Sequence, residues 1–455
     1  MFKPHITLFV ALGLAAPVLA PAGTPQDELQ PVVNRAGKTL EFDWPMIRIG
    51  TGEYEEGPTG VTVFHFQRKV LAAVDVRGGG PGTVNTDYLR LGYEAPELDA
   101  VVFAGGSWYG LEATTAVANA LKDDGLRDGG WMSLALSVGA IIYDLGSRRL
   151  NEIYPDKRLA QAAFRAARPG VFPLGPHGAG RFAKTGGYFG CNAHSGQGGA
   201  FRQIGEVKVA AFTVVNALGV VTDRDGNIVA CFRDPSWPKD LKAVDLVGGL
   251  PDSRKPGWRG VPPGQAGRNT TVSLVVTNMT LNPAELQRLA VQVHTSMARG
   301  IQPFATEFDG DVLYAVSTAE LPRQEMPAIT SADLGIIASE VMWDAILSSV
   351  PEQPVAPQVN RQLKLRAQDL QKYAGEYVFS EFVKIEVSEK GGRLYGQATG
   401  KRDAYTITRA APVELLPVAA DVFTVPGRYP LTIKFEPSAV VLNPGPWQQR
   451  GTRTR

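Results

Sequence analysis

The chain has 455 residues, with 46 basic and 45 acidic side chains and 44% hydrophobic content. That is ample apolar material for more than one core, and so even a charge balance gives no electrostatic reason to bind nucleic acid or an anionic membrane surface. Fifty Gly and 33 Pro make it rich in turns, while two cysteines, Cys191 and Cys231, exclude a disulfide scaffold and form no Cys-x-x-Cys motif that would point to zinc or redox chemistry.

Met1-Phe2-Lys3 is a short basic start, followed by an apolar run over residues 6–20 that is too short to cross a bilayer comfortably. Val18 and Ala20 meet the small-residue rule for cleavage after Ala20. A signal peptide over 1–20 is therefore expected, with a periplasmic or secreted product and no membrane anchor. In an oxidising compartment Cys191 and Cys231 are free to pair, although spacing alone does not decide it. His65, His177, His194 and His294 remain in the mature chain, none at ligand spacing to another, and a surface or cap role is expected for His294.

Alternating runs at 60–66 and 69–76 read as neighbouring strands, followed by the loop RGGGPGTVNT at 77–86. DAVVFAGG (99–106) is a buried-strand pattern running into a helix over about 110–121, and 157–167 is a second helix. The segment 182–201 is glycine-rich and loop-like, and 207–216 is a strand. Beyond the Gly/Pro-rich loop 261–268 come a strand at 271–278 and a helix that Asn282 caps, with Pro283 in its first turn and Gly300 at its end. A strand at 311–318 and a helix at 334–347 complete a layered alternation of helix and sheet. A proline-rich linker is expected over 351–364, then a small all-β domain of sandwich or barrel type over 365–455, with strand patterns EYVF, VKIEV, RLYGQAT, YTIT, DVFTV, LTIKF and AVVLN.

The chemistry centres on Asn269-Thr270-Thr271, at the junction of the glycine-rich loop and a strand. Taken alone, the tripeptide reads as an ordinary strand start, where Thr is common. Cleavage of the Asn269–Thr270 bond, however, would give Thr270 a nucleophilic hydroxyl and a basic α-amine on one residue. The α-amine has an ordinary pKa of about 8 and is partly neutral near pH 7. Asp309-Gly310-Asp311 places two carboxylates at i and i+2, facing one way on a strand, where they could hold an ammonium; the same tripeptide also reads as a tight turn. Asn216 ends a strand and could donate to an oxyanion, or merely begin a turn. Tyr143 could present its hydroxyl to a pocket or pack in the core. GGSWYG (105–110) fails the Gly-x-Ser-x-Gly elbow because Tyr109 replaces the second glycine, which leaves a serine hydrolase built on Ser107 a weak reading.

Five segments in order resemble one family: AAVDVRGGGPGT (72–83), DAVVFAGGSWYGLEA (99–113), AAFTVVNALG (210–219), NTTVSLVVTN (269–278) and FDGDVLYA (308–315). The family is that of the autoprocessing N-terminal-nucleophile hydrolases, which includes L-aminopeptidase D-esterase, β-peptidyl aminopeptidases and endo-type nylon-oligomer hydrolases. The resemblance implies an α/β/β/α-type sandwich over 21–350, self-cleavage between Asn269 and Thr270, and two fragments that stay associated, usually in a symmetric homo-oligomer. Thr270 would be the nucleophile, forming an acyl-enzyme on a small peptide or peptide-like amide. Asn216 would serve the oxyanion, with Asp309, Asp311 and Tyr143 around the site and no cofactor or metal. Family members carry a Lys-Gly-Gly segment where this chain has Gln197-Gly198-Gly199; Lys184, His194 or Arg202 could compensate. That departure, with the added β-domain, supports a second reading, an envelope binding protein that keeps the scaffold with little or no turnover. The β-domain resembles the lipocalin-like module appended to some exported hydrolases.

Overall fold

The structure is a computed structural model that describes residues 26–454, apart from 91–93, 95, 147, 234–236, 239, 249–268, 324–327 and 364. The expected signal peptide and the loop 261–268 lie outside the described residues.

Eight of the eleven strands of the main sheet are longer than two residues: β1 (Ile47–Tyr54), β2 (Thr59–Val76), β3 (Glu97–Ala104), β4 (Ser137–Ile141), β5 (Gln197–Ile204), β6 (Val207–Asn216), β7 (Thr270–Met279) and β8 (Val312–Leu321). Their order is β5-β6-β7-β8-β2-β3-β4, with β1 joined to the first half of β2. The two strands expected at 60–66 and 69–76 are one 18-residue strand, with a register shift between His65 and Val70. Gln67 and Arg68 are exposed at that waist, and nothing in Gln-Arg-Lys favours a chain reversal.

This long strand lets the sheet close on itself. Its first half lies with β1, β3 and β4, its second with β8, β7, β6 and β5. The two halves face each other: the Phe64 and Phe212 rings are 5.0 Å apart, and Phe103 and Tyr314 6.4 Å. Helices α1 (Glu112–Asp123) and α2 (Lys157–Arg165) cover the outside of one half, and α3 (Pro283–Ser296) and α4 (Ser331–Ser348) the outside of the other. The result is an α/β/β/α sandwich. Capping boxes begin both outer helices of the second pair, Asn282 with Glu285 and Thr330 with Asp333, so α4 starts earlier than its apolar stripe predicts.

The segment 182–201, expected as loop, carries two ladders. Lys184–Thr185 pairs with Ala193–His194, and Gln197 opens β5. Gly186 and Gly190 take left-handed turn backbones at φ 75° and 72°, whereas Gly198 permits close backbone approach: a Cβ there would lie 1.9 Å from the Ala345 carbonyl oxygen of α4. Cys191 and Cys231 form a disulfide across this region.

At the C-terminus, eight strands from Gly375–Val378 to Gln449–Arg453 close a barrel with its own core. YTIT (405–408) is a turn bridged by Ala404 and Ile407, and the strands Val413–Ala419 and Gln449–Arg453 were not among the expected patterns. The last of these is mostly polar, and pairing with both neighbours, not hydrophobic alternation, holds it. The barrel sits against the sandwich: Leu150 enters its core, the Leu150 N–H donates to Gln449 Oε1 at 2.8 Å, and His194 stacks on Trp447 at 3.9 Å.

Candidate active site

Thr270 is the first residue of β7, in the middle of the sheet, directly opposite Asn216 at the end of β6. Opposed residues share a face, and Thr270 and Asn216 follow the parity of Val272 and Val214, which lie in the core between the sheet halves. The Thr270 hydroxyl donates to the Asn269 carbonyl oxygen at 2.6 Å. That oxygen also accepts the Gly310 N–H at 2.8 Å. Gly310 has no side chain for a steric reason: a Cβ there would lie 2.6 Å from Thr270 Oγ1 and 2.8 Å from the Gly80 carbonyl.

The glycine-rich loop after β2 forms the wall behind this corner. Gly78 and Gly80 donate to the carbonyls of Asp311 and Asp309, and a Cβ on Gly78 would lie 2.2 Å from the Asp311 nitrogen. The run RGGG therefore serves backbone-on-backbone packing against the Asp-Gly-Asp segment.

Asp309 and Asp311 are both buried and face the same short turn. Asp309 accepts from the Thr306 N–H at 3.2 Å, the Thr306 hydroxyl at 2.7 Å and the Leu218 N–H at 3.3 Å. Asp311 accepts from the Thr271 N–H at 2.5 Å and the Ala305 N–H at 3.1 Å. Burial, and for Asp311 also the neighbouring Asp309 carboxylate, pushes both carboxyls above their ordinary range.

Asn216 is held at both ends of its amide. Its Oδ1 accepts the Lys184 N–H at 3.0 Å, and its Nδ2 donates to the Tyr143 carbonyl at 2.9 Å. One Nδ2 hydrogen is left for another acceptor. Tyr143 thus reaches the corner through its backbone, and its phenol makes no hydrogen bond among the described residues. The segment carrying it is pinned by Asp144, which pairs with Arg149 at 2.7 Å and accepts from the Thr59 hydroxyl and the Gly106 N–H.

Gln197 lies elsewhere. It opens β5 opposite Val214, two strands away from β7 and so roughly 10 Å from the Thr270 strand. It is fully buried; its Oε1 accepts from Thr62 and its Nε2 donates to the Pro173 carbonyl, both at 2.7 Å. Lys184 joins the corner through its backbone N–H; its half-buried ammonium lies beside Gly146 and 5.7 Å from the centre of the Phe182 ring, with no carboxylate partner among the described residues. Burial, then the Arg148 guanidinium, push its ammonium down to about 7, with Asp144 opposing. In sequence, Lys184-Thr185-Gly186-Gly187 differs from a Lys-Gly-Gly pattern by one inserted residue, a signal that matching on Gly-Gly alone misplaces.

Of the other candidates, Arg202 pairs with Asp344 at 3.3 Å on the outer surface. His194 meets Arg148 through Nε2 at 2.7 Å. His294, expected at a surface or cap, is fully buried in α3 with Nδ1 2.8 Å from Asp75, because the helix turns that position toward β2. Ser107 sits at φ 54° in the strand-to-helix turn, and its hydroxyl has no hydrogen bond to a base among the described residues.

The model of Peptidase family S58 matches residues 42–356. The 6-aminohexanoate-oligomer endohydrolase of Paenarthrobacter ureafaciens is 40% identical over 341 residues, covering 73% of this chain and 92% of that protein. A putative NylC-analogous protein of Agromyces sp. (strain KY5R) is 42% identical over 318 residues, 68% of this chain and 99% of that one. Among solved structures, the Burkholderia sp. beta-aminopeptidase superposes with a TM-score of 0.47 at 19% identity, over 69% of this chain and 88% of that chain. With the family match spanning well over half of its length, this protein belongs to Peptidase family S58 and is a hydrolase.

Proposed function

We propose that the protein is an exported, self-cleaving amidohydrolase whose nucleophile is Thr270, and that it acts on small peptides or peptide-like amides. One observation carries the reading: the Thr270 hydroxyl lies against the carbonyl of the residue before it, and that carbonyl oxygen is already polarised by the Gly310 N–H. Attack of Oγ on the Asn269 carbonyl carbon places negative charge on that oxygen, where a fixed N–H stabilises it. The carbon–nitrogen bond to Thr270 then breaks, the nitrogen takes a proton and becomes the α-amine, and Asn269 is left as an ester on Oγ. Water opens the ester, giving an Asn269 carboxylate and a free Thr270.

In the mature protein the same hydroxyl attacks a substrate amide and forms an acyl-enzyme, which water clears. Asn216 offers its spare Nδ2 hydrogen to the oxyanion. Lys184, with its pKa near 7, exchanges protons beside it, and Asp309 with Asp311 holds the new α-amine. Tyr143 fixes Asn216 through its carbonyl. The disulfide supports export, because such bonds persist in oxidising compartments. The relatives make 6-aminohexanoate oligomers the first substrates to test, and a homo-oligomer the assembly to look for. The alternative of a binding protein without turnover was motivated by Gln197 and the added β-domain; the place of Gln197 in β5, away from Thr270, weakens the first motive and leaves the second.

The test is N-terminal sequencing of purified, active protein. Two fragments are expected, the second beginning at Thr270, and Thr270→Ala should stay uncut and inactive. A single continuous chain in an active preparation overturns the proposal.

A further inference from the structure

Between the hydrolytic unit and the barrel lies a cavity of about 420 Å³, lined by Arg148 and Asn192 on one side and by Lys401, Arg402, Tyr405 and other barrel residues on the other. Arg148 is 4% exposed and has no carboxylate partner among the described residues. Its Nη1 donates to the Asn192 carbonyl at 2.6 Å and its Nη2 meets His194 Nε2 at 2.7 Å, while Nε has no partner. A buried guanidinium held by neutral groups alone leaves its charge uncompensated. The lining carries further unmet capacity: Arg402 Nε and Thr406 Oγ1 are also buried without partners.

The charge count points the same way. Arg402 is paired with Glu152, and Arg409 with Asp403 at 3.2 Å. Lys401 rests over the Phe382 ring without a carboxylate, so Arg148 and Lys401 leave a surplus of two positive charges. The walls are aromatic as well as cationic: Arg148 stands 5.3 Å from the centre of the Tyr429 ring, and Tyr405 holds a left-handed backbone at φ 55°, a conformation that costs energy for a bulky residue. The volume leaves room for an organic body behind the charged end, which a bare inorganic oxyanion would leave empty.

We propose that this interdomain cavity binds an aliphatic carboxylate, with the acid group on Arg148, Lys401 and the Thr406 hydroxyl and the chain between Tyr405 and Tyr429. The site does not depend on cleavage at Thr270, and its ligand is not consumed there.

Calorimetric titration of the full-length protein with hexanoate, hexanamide and inorganic phosphate tests it. Saturable binding of hexanoate is expected, at least tenfold tighter than hexanamide, with phosphate weaker than hexanoate. Arg148→Met should abolish binding. Lys401→Met, at an exposed position where folding is not at stake, should weaken it at least tenfold. Equal binding of hexanoate and hexanamide, tighter binding of phosphate, no saturable binding, or unchanged affinity in Lys401→Met each overturns the proposal. Because hexanoate has no amide, these outcomes are independent of whether the protein cuts itself.

Discussion

Lys184 sets the pH behaviour expected of the site. An amine pushed down to about 7 is neutral and basic above that pH and charged below it. Hydrolysis of a 6-aminohexanoate oligomer should therefore rise with pH through about 7, and Lys184→Met should remove that limb and lower the rate by about 10²–10⁴, the usual worth of general acid–base help. The same group leaves a mark on stability. Its folded pKa lies below the ordinary 10.5, so between about 7 and 10.5 the unfolded chain binds more protons than the folded one. Stability from this group therefore increases as pH rises across that window, and the Met variant should lose the slope in denaturant titrations at stepped pH. Gln197 gives the opposite kind of prediction. Both ends of its amide are satisfied inside the sandwich, so Gln197→Lys buries an unpaired ammonium. It should cost about 3 kcal/mol in urea unfolding and leave turnover of the folded fraction unimproved.

At the scale of elements, the corner is made by two glycine-bearing segments brought against one strand end. Gly310→Ala would push a methyl into Thr270 Oγ1 and the Gly80 carbonyl without touching either core. Displacing a reacting group by about 1 Å costs roughly 10²-fold, so cleavage should slow by about that factor, as read from the time course of fragment appearance on a denaturing gel, while circular dichroism stays unchanged. This corner was legible in sequence where chemistry and local pattern coincide: Thr270 at a strand start, Asn216 at a strand end, and Asp-Gly-Asp before β8. It was not legible where glycines serve tertiary contact. The run from Phe182 to Phe201 looks like loop because its glycines read as turn signals. Gly186 and Gly190 are indeed turn glycines, but Gly196 and Gly198 are there because the Gly175 backbone and α4 press against them, and no local pattern records that. The same blindness hid the continuity of β2, whose polar waist resembles a turn until β1, β3 and β8 are seen to pair on either side of it. The last barrel strand, QRGTR, is fixed by closure and carries no pattern of its own.

At the scale of the whole molecule, the position of the proposed cut decides what would happen after it. Segments before Asn269 supply β5 and β6 on one side of β7, and β2 on the far side of β8. Segments after it supply β7 and β8, inserted between them, with α3 and α4 covering that half of the sheet. The barrel, which would lie wholly in the second fragment, is seated on Leu150 and His194, which would lie in the first. Severing the Asn269–Thr270 bond therefore frees a strand end but no element, and the fragments share one hydrophobic core. They should co-elute in native gel filtration at any ionic strength, because apolar burial is not screened by salt. They should separate only when urea unfolds the sandwich, in one transition that aromatic fluorescence and fragment dissociation report together. Dissociation at urea concentrations below the fluorescence transition would mean that the sheet does not interleave as described.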